Sequence, residues 1–222
     1  MCGRYTLKAP REAIAEAFDL ADVPELLPRY NIAPTQPVPV VRLDRASGER
    51  EIALLQWGLI PSWADDPAIG NRLINARAET VAEKPAFRTA FKKRRCLVVA
   101  DGFYEWKREN GKTPYYFRLK DSSPFAFAGL WERWEKGEEP VESCTLLTCE
   151  ANGVVAPVHD RMPVILKPQD YARWLDPEEQ RRTEVLVRLL APLPDDWLSA
   201  QPVGKLVNNP RNEDPRCIER RP

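Results

Sequence analysis

Apolar residues along this chain fall mainly into short runs of valine, isoleucine, leucine and aromatic side chains, bounded by turn-forming residues. Runs of this length that are rich in β-branched and aromatic residues are typical of β-strands. The pair Asn110-Gly111 stands between two of the runs and favours a tight hairpin turn. The pattern predicts strands at residues 38–43, 51–57, 96–100, 103–107, 115–119, 125–130, 143–148 and 162–166.

Helical periodicity is rarer, and most helical segments begin at a proline, which suits a first helical turn because the missing N–H would have no partner there. We predict helices at residues 10–18, 85–93, 168–175 and 177–190. The last segment has one apolar face opposite a charged one, as expected for a helix that lies on a sheet. That apolar face comprises Val185, Leu186, Leu189 and Leu190.

These elements predict an α+β fold. The chain has 22 prolines, about twice the usual frequency, so long helices are not expected. No linker or break in composition divides the 222 residues, and we therefore expect residues 1–222 to form a single domain. The expected architecture is a mostly antiparallel, barrel-like sheet with helices at its margin.

Composition argues against a membrane protein and leaves the partner open. No apolar run approaches the roughly 20 residues that span a bilayer, and the opening MCGRYTLKAP lacks the features of a secretory signal, so we expect a cytoplasmic protein. The 33 basic residues balance the 33 acidic ones. Residues 84–95 carry six basic side chains and no acidic one. A solvated helix surface is the favoured interpretation of this segment, with a nucleic-acid-binding face as the alternative.

The five cysteines do not indicate disulfides or a metal site. They include no C-x-x-C pair, and the cytosol keeps thiols reduced. Structural zinc requires four cysteine or histidine ligands, usually in close pairs, whereas this chain has one histidine and only the loose pair Cys144 and Cys149. We expect no metal and no cofactor.

Cys2 follows the initiator methionine directly and carries the most distinctive candidate chemistry. Removal of Met1 would give Cys2 an α-amine with a pKa of about 8 beside a thiol with a pKa of about 8.5. An aldehyde condenses with such an amine to an imine, and the neighbouring thiol then closes a five-membered thiazolidine ring, a step that proximity makes effective. Position alone, however, favours the alternative that Cys2 is a small buried residue.

Seven segments together resemble one protein family. They are MCGRYTL at the start, NIAPTQ at 31–36, WGLIPSW at 57–63, NARAET at 75–80, DGFYEW at 101–106, FAGLW at 127–131 and HDRMP at 159–163. In combination they resemble the SRAP family, named for SOS response-associated peptidases, whose bacterial and vertebrate members process abasic sites. The motifs extend from residue 2 to about residue 166, which leaves the last quarter of the chain unmatched.

The resemblance implies catalytic roles for four residues. Cys2, exposed by removal of Met1, would form the thiazolidine with the ring-opened abasic sugar. Asn75 looks like the asparagine that positions the N-terminus, and Glu105 looks like the glutamate that moves protons during imine formation and ring closure. His159 looks like the histidine that assists proton transfer and reversal of the crosslink.

The same resemblance implies a surface that binds single-stranded DNA. Arg4, Arg77 and Arg161 would lie on that surface, with Trp106 and Thr148 near the strand. The loop around Trp63 could wedge an aromatic ring against unstacked bases. The partner would be single-stranded DNA that contains abasic sites, bound by a monomer associated with the nucleoid.

Without the family, each of these residues has an ordinary interpretation. Glu105 could be a surface carboxylate on a hairpin, although burial beside aromatic rings would raise its pKa towards neutrality. His159, the only histidine, could be structural, and Asn75 could form a turn. Arg77 and Arg161 could form surface salt bridges, whereas arginines gathered near Cys2 would bind phosphate.

Three functions therefore compete. The first, which we predict, is covalent capture of abasic sites in single-stranded DNA through Cys2, with lyase-type chemistry and self-processing of Met1. The second is a cysteine peptidase with Cys2 as nucleophile and His159 as base. The third is a non-catalytic nucleic-acid reader that uses arginines and aromatic rings to bind a strand.

Overall fold

The computed structural model describes residues 2–44, 46–109, 111–181 and 183–221. These residues form thirteen strands, most of them in antiparallel pairs. The strands are β1 (Tyr5–Leu7), β2 (Arg29–Ile32), β3 (Pro37–Leu43), β4 (Arg50–Trp57), β5 (Asn75–Arg77), β6 (Arg95–Ala100), β7 (Gly102–Lys107), β8 (Thr113–Leu119), β9 (Phe125–Trp134), β10 (Val141–Glu150), β11 (Arg161–Pro163), β12 (Ile165–Leu166) and β13 (Leu198–Pro202).

Five strands close into a small barrel. β3 pairs with β4 and with β6, β6 pairs with β9, and β9 pairs with β10, all antiparallel. The ring is completed by β10 and β4, which run parallel and place Cys144 opposite Trp57. Strand β10 also pairs with β5 in parallel and with β11 antiparallel. The predicted α+β fold with a barrel-like, mostly antiparallel sheet is therefore confirmed.

A second sheet brings the start of the chain to its middle. Its strand order is β13, β8, β7, β1 and β2. The register sets Tyr5 opposite Phe103 and Glu105 opposite Tyr115. Gly102 is required at the first position of β7, because a Cβ atom there would lie 2.2 Å from the Tyr116 hydroxyl. This sheet carries Glu105 beside the segment that contains Cys2.

The helices are short and lie at the margin of the sheets, as the sequence predicts. They are α1 (Arg11–Phe18), α2 (Arg88–Lys93), α3 (Tyr171–Leu175) and α4 (Thr183–Arg188), and 3-10 turns occupy Pro67–Arg72, Pro168–Asp170, Pro177–Arg181, Asp195–Trp197, Lys205–Asn208 and Pro215–Ile218. The segments predicted at 168–175 and 177–190 each begin as a 3-10 turn at their proline before becoming α-helical. Leu186 and Leu190 are buried, which confirms the apolar face predicted for the last segment.

The core fills the barrel and the space between the two sheets. All six residues of β6 are buried, so helices and loops cover its outer face. Tyr5 packs edge-on against Trp57 and Phe127 at ring distances of 5.4 and 5.7 Å, joining the second sheet to the barrel. Burial of the apolar core as a whole is the main stabilising contribution to the fold.

The structure differs from the predicted strands in two respects. The run at 162–166 is split into β11 and β12, because Val164 crosses between β10 and β9 and bonds to Leu147 and Ala128. Four strands, β1, β2, β5 and β13, were not predicted. The β7–β8 hairpin is present, with Gly111 at φ +100°, while Asn110 of the predicted turn lies outside the described residues.

Of the helices in the part of the chain described here, none has the length and apolar character needed to cross a membrane.

Candidate active site

Cys2 lies just before β1 and is held by two hydrogen bonds. Its carbonyl oxygen accepts from Nδ2 of Asn75 at 2.8 Å, and its thiol donates to the backbone oxygen of Arg4 at 3.8 Å. The side chain of Cys2 is fully buried. The sequence begins with Met1, which lies outside the described residues. The amine predicted to react belongs to Cys2 only after Met1 is removed.

Asn75 reaches Cys2 from the short strand β5. Parallel pairing with β10 sets Asn75 opposite Leu146, which fixes the direction of the amide towards the start of the chain. The Oδ1 atom of Asn75 is buried and has no hydrogen-bond partner among the residues that the structure describes. Asn75 therefore holds Cys2 through its donor and keeps an acceptor available.

Glu105 is a buried carboxyl whose charge acts on Cys2. The N–H of Tyr104 donates to the Arg4 oxygen at 3.0 Å, which brings β7 alongside the segment that contains Cys2. Glu105 is only 2% exposed, and burial raises its pKa to about 7. A carboxyl group with this pKa can both release and accept a proton at neutral pH.

The thiol of Cys2 shares this environment. Burial raises the pKa of the Cys2 thiol well above its usual range, and the negative charge of Glu105 raises it further. The thiol is therefore protonated at neutral pH and needs a base before it can act as a thiolate. Among the described side chains, Glu105 is the one whose charge reaches the thiol.

His159 lies in the turn before β11 and is largely buried. Its Nδ1 atom is 2.9 Å from the backbone N–H of Arg161 and 3.0 Å from Oδ1 of Asp160. The first contact needs Nδ1 without a hydrogen and the second needs a hydrogen on Nδ1, so the two neighbours favour opposite states of this atom. Burial lowers the pKa of His159, which favours the neutral ring that accepts from Arg161.

A pocket of about 410 Å³ opens onto Glu105 and His159, whereas Cys2 and Asn75 lie behind its lining. Glu105 and His159 line it together with cationic and polar side chains. Glu105 is the one carboxylate in this lining, and its pKa of about 7 leaves it partly neutral, so the pocket is electropositive and suits an anionic ligand. The lining residues are Arg4, Glu105, Trp106, Arg108, Lys112, His159 and Asn208.

Arg4 lines the pocket but is also part of the structural framework. Its Nη1 atom donates to Oδ1 of Asn31 at 2.7 Å and to the carbonyl of Val207 at 2.8 Å. Its guanidinium lies 5.8 Å from the ring centre of Trp106, whose Nε1 donates to Asn208 at 2.7 Å. The site thus draws together the start, the middle and the end of the chain.

Arg77, Thr148 and Arg161 form a separate group beside the pocket rather than part of its lining. Thr148 is fully buried, and its hydroxyl donates to the Ala76 oxygen at 3.4 Å. Arg161 donates to both carboxylate oxygens of Glu79, at 2.6 and 2.9 Å. Arg77 is exposed and lies opposite Thr148 on β5.

Trp63 lies in another part of the surface. Its side chain is 53% exposed, and its backbone oxygen accepts from Nζ of Lys136 at 2.8 Å. The exposed ring is open to a ligand, and none of the contacts described above connects it with Cys2.

Sequence reasoning missed three residues of the pocket. Arg108 and Lys112 flank the hairpin turn between β7 and β8, and this position after a site-bearing strand was a usable signal. Asn208 had no such signal, because it comes from the last quarter of the chain, which matched no motif.

No group of three or more histidine, cysteine, aspartate or glutamate side chains within the described ranges could hold a metal ion.

Comparison with known proteins relates the whole chain to one family. The family model described as SOS response associated peptidase (SRAP) matches residues 1–210. The abasic site processing protein YoqW of Bacillus subtilis (strain 168) is 43% identical over 225 residues, which cover 99% of both chains. The abasic site processing protein HMCES of Xenopus tropicalis is 36% identical, over 86% of this chain and 65% of that protein.

A solved structure extends the similarity to three dimensions. The crystal structure of a protein from Bacteroides thetaiotaomicron superposes with a TM-score of 0.87 at 28% identity, covering 99% of this chain and 100% of that one. The family match extends well past residue 166, to include Asn208. The chain therefore belongs to the SRAP family of SOS response associated peptidases.

Proposed function

We propose that this protein processes abasic sites in DNA, as its relatives are named for doing. The observation that carries the proposal is the position of a buried carboxyl group with a pKa of about 7, Glu105, beside the second residue of the chain, a cysteine. We infer further that residues 1–222 act as one SRAP domain, as a cytoplasmic monomer that needs no cofactor.

The finer proposal is that Cys2, freed of Met1, captures the sugar covalently. The amine attacks the C1′ aldehyde of the ring-opened abasic site, and loss of water gives an imine. The thiol sulfur then adds to the imine carbon while the nitrogen gains a proton, which closes the thiazolidine. One amine, one thiol and one aldehyde thus yield one ring and one water molecule.

The neighbouring residues support this sequence of steps. Glu105 accepts the thiol proton and delivers a proton to the imine nitrogen, because its pKa of about 7 allows both at neutral pH. Asn75 holds the Cys2 carbonyl through Nδ2 and offers its buried Oδ1 to the new amine. His159, which also lines the pocket, exchanges protons with the sugar and assists reversal of the crosslink.

We propose single-stranded DNA as the substrate, because a strand must unstack for its sugar to reach a recessed pocket. Trp106, at the pocket, offers a ring against which a base can stack. Arg4 and Arg77 contribute positive charge along the strand, with Thr148 opposite Arg77 on the neighbouring strand. Arg161 joins them where phosphate competes with Glu79 for its guanidinium.

Intact mass spectrometry tests the covalent proposal. Purified protein is measured before and after incubation with a single-stranded oligonucleotide containing one abasic site. We expect a starting mass without Met1 and a heat-stable adduct that forms with loss of one water. Cys2→Ala is expected to give no such adduct, and Cys144→Ala, which alters another buried cysteine, serves as the matched control. Equal adduct formation by Cys2→Ala and the wild type would refute the mechanism.

The alternative is a cysteine peptidase that uses Cys2 as nucleophile, as the family description suggests. Turnover of peptides in trans, lost in Cys2→Ala, would favour it. Removal of Met1 by the protein itself is compatible with both functions, so the adduct assay discriminates between them.

A further inference from the structure

The tip of the β7–β8 hairpin places two cations at the rim of the pocket. Arg108 follows the last paired residue of β7 and Lys112 precedes the first of β8, where Lys107 lies opposite Thr113. Both side chains are exposed, and both line the pocket that contains Glu105 and His159. The hairpin therefore carries positive charge directly to the entrance of the proposed site.

These two cations have no acidic partner in the part of the chain that the structure describes. Neither Arg108 nor Lys112 forms a salt bridge there, whereas the adjacent Lys107 pairs with Glu109 at 2.8 Å. Cations without an ion pair at the mouth of a pocket can bind an external anion readily, because no internal ion pair has to be broken first.

Arg4 and Arg161, two other cations near the site, already have partners within the protein. Arg4 donates to Asn31 and Val207. Arg161 binds Glu79 with both terminal nitrogens. The positive charge of Arg108 also contributes to lowering the pKa of His159, so its field reaches the pocket interior. Arg108 and Lys112, at the hairpin tip, are thus the cations at the pocket rim that remain available to a ligand.

We propose that Arg108 and Lys112 bind a phosphodiester next to the abasic sugar and so align the sugar with Cys2. The inference rests on the proposed function, in which a sugar enters the pocket. Its flanking phosphates are fully ionised and costly to bury, so they stay at the rim, where the hairpin tip lies. Arg108 and Lys112 are positioning residues for the strand, and the chemistry remains with Cys2 and Glu105.

Salt dependence of binding tests the proposal without relying on adduct formation. The probe is a single-stranded oligonucleotide with a tetrahydrofuran abasic analogue, which has no aldehyde. For single strands, each phosphate contact contributes about 0.7 to the slope of log K against log salt concentration. We expect the double variant Arg108→Gln/Lys112→Gln to bind more weakly at low salt, with a slope shallower by about 0.7, because both cations bind one phosphate.

The matched control makes the same change of charge elsewhere. Arg88→Gln/Lys92→Gln removes two exposed cations from α2, and its slope is expected to equal that of the wild type. An unchanged slope in the hairpin variant would overturn the proposal. An equal change in the α2 variant would also overturn it, since the effect would then follow net charge.

An uncharged linkage locates the contact. A methylphosphonate replaces the phosphate on one side of the tetrahydrofuran residue and, in a second oligonucleotide, on the other side. One of these substitutions is expected to weaken binding to the wild type and to have no further effect on the hairpin variant. Equal losses in both proteins at both positions would contradict the contact.

The hairpin variant should still form adduct at saturating abasic DNA. Failure of the wild type to form adduct would instead refute the proposed function itself.

Discussion

The guanidinium of Arg161 forms a two-pronged ion pair with Glu79, with Nη1–Oε1 at 2.6 Å and Nη2–Oε2 at 2.9 Å. Nη2 also donates to the carbonyl of Thr148 at 2.7 Å. The pair therefore ties β11 to β10 and to the segment that follows Asn75. The Glu79 carboxylate therefore neutralises Arg161, a residue that the family resemblance assigns to the DNA-binding surface.

We predict that Glu79→Gln strengthens binding of single-stranded DNA, because the charge of Arg161 is no longer neutralised and becomes available to phosphate. The expected change is a few-fold tighter binding at low salt and a slope steeper by up to about 0.7. Loss of the ion pair should cost about 1 kcal/mol of stability, since the Glu79 side chain is 48% exposed. Fluorescence anisotropy over a salt series measures the first effect and urea unfolding the second.

Glu83→Gln is the matched control for Glu79→Gln. Glu83 is exposed in the same segment, and its removal changes net charge equally. If both variants bind alike, the Glu79 carboxylate does not restrain Arg161.

The raised pKa of Glu105 predicts two pH effects. Its folded-state pKa of about 7 exceeds the ordinary value of 4.5, so the native state holds the proton more tightly than the unfolded state. This contribution to stability is complete below about pH 4.5 and is lost as the pH rises through 7. Between pH 4.5 and 8, the free energy of unfolding of Glu105→Gln should therefore rise by about 3 kcal/mol relative to that of the wild type.

Urea unfolding at several pH values measures the stability change, and single-turnover adduct formation measures the kinetic one. The adduct rate of the wild type should change near pH 7, and Glu105→Gln should be slow and lack that inflection. Glu132→Gln, at another buried glutamate, is the control and should keep the inflection. An identical pH profile for Glu105→Gln and the wild type would exclude Glu105 as the proton carrier.

His159 offers a direct measurement because the chain contains one histidine. The Asp160 carboxylate favours the protonated imidazole and so raises the pKa of His159, although burial lowers it overall. We predict that Asp160→Asn lowers the pKa further and extends the neutral form to more acidic pH. NMR titration of the single imidazole signal follows this shift.

Glu184→Gln, an exposed acid on α4, controls for net charge and should leave the titration unchanged. A higher pKa in Asp160→Asn would mean that the Nδ1 contact with Asp160 does not stabilise the charged ring.

The sequence predicted the barrel better than it predicted the site, for a physical reason. Strands such as β6 and β9 are apolar runs whose own composition favours extended structure. Strand β5 is three residues long and exists because β10 pairs with it, so no local pattern could reveal it. Asn75 was identified through its motif, and its contact with Cys2 depends on that pairing.

The convergence of distant segments was likewise hidden. Composition and spacing could not show that Val207 and Asn208 close onto Arg4 and Trp106, because those contacts join residues about 200 and 100 positions apart. Local reasoning did anticipate that burial would move the pKa of Glu105 towards neutrality. It could not anticipate that Arg161 is engaged by Glu79, since that pairing depends on where β11 lies beside β10.

Asn31 connects the pocket to the end of the chain. It is fully buried, its Oδ1 accepts from Arg4 at 2.7 Å, and its Nδ2 donates to the carbonyls of Asn209 and Asn212 at 2.9 and 2.8 Å. Asn31→Ala removes these three hydrogen bonds, together with a longer one from Nδ2 to the carbonyl of Val207 at 3.4 Å, and takes that partner from each of the other groups. We predict a loss of about 3 kcal/mol in unfolding free energy, at about 1 kcal/mol for each bond.

Two further variants distinguish the contribution of the Asn31 amide to stability from that of its neighbours. Asn209→Ala keeps the backbone carbonyl that accepts from Asn31 and should cost under about 1 kcal/mol. Asn31→Asp keeps the acceptor for Arg4 but loses every donation from Nδ2, so hydrogen exchange should rise at residues 205–218 while Arg4 stays in place. If Asn31→Ala is no less stable than Asn209→Ala, then the last quarter of the chain is held by its apolar contacts instead, and Asn208 reaches Trp106 without help from Asn31.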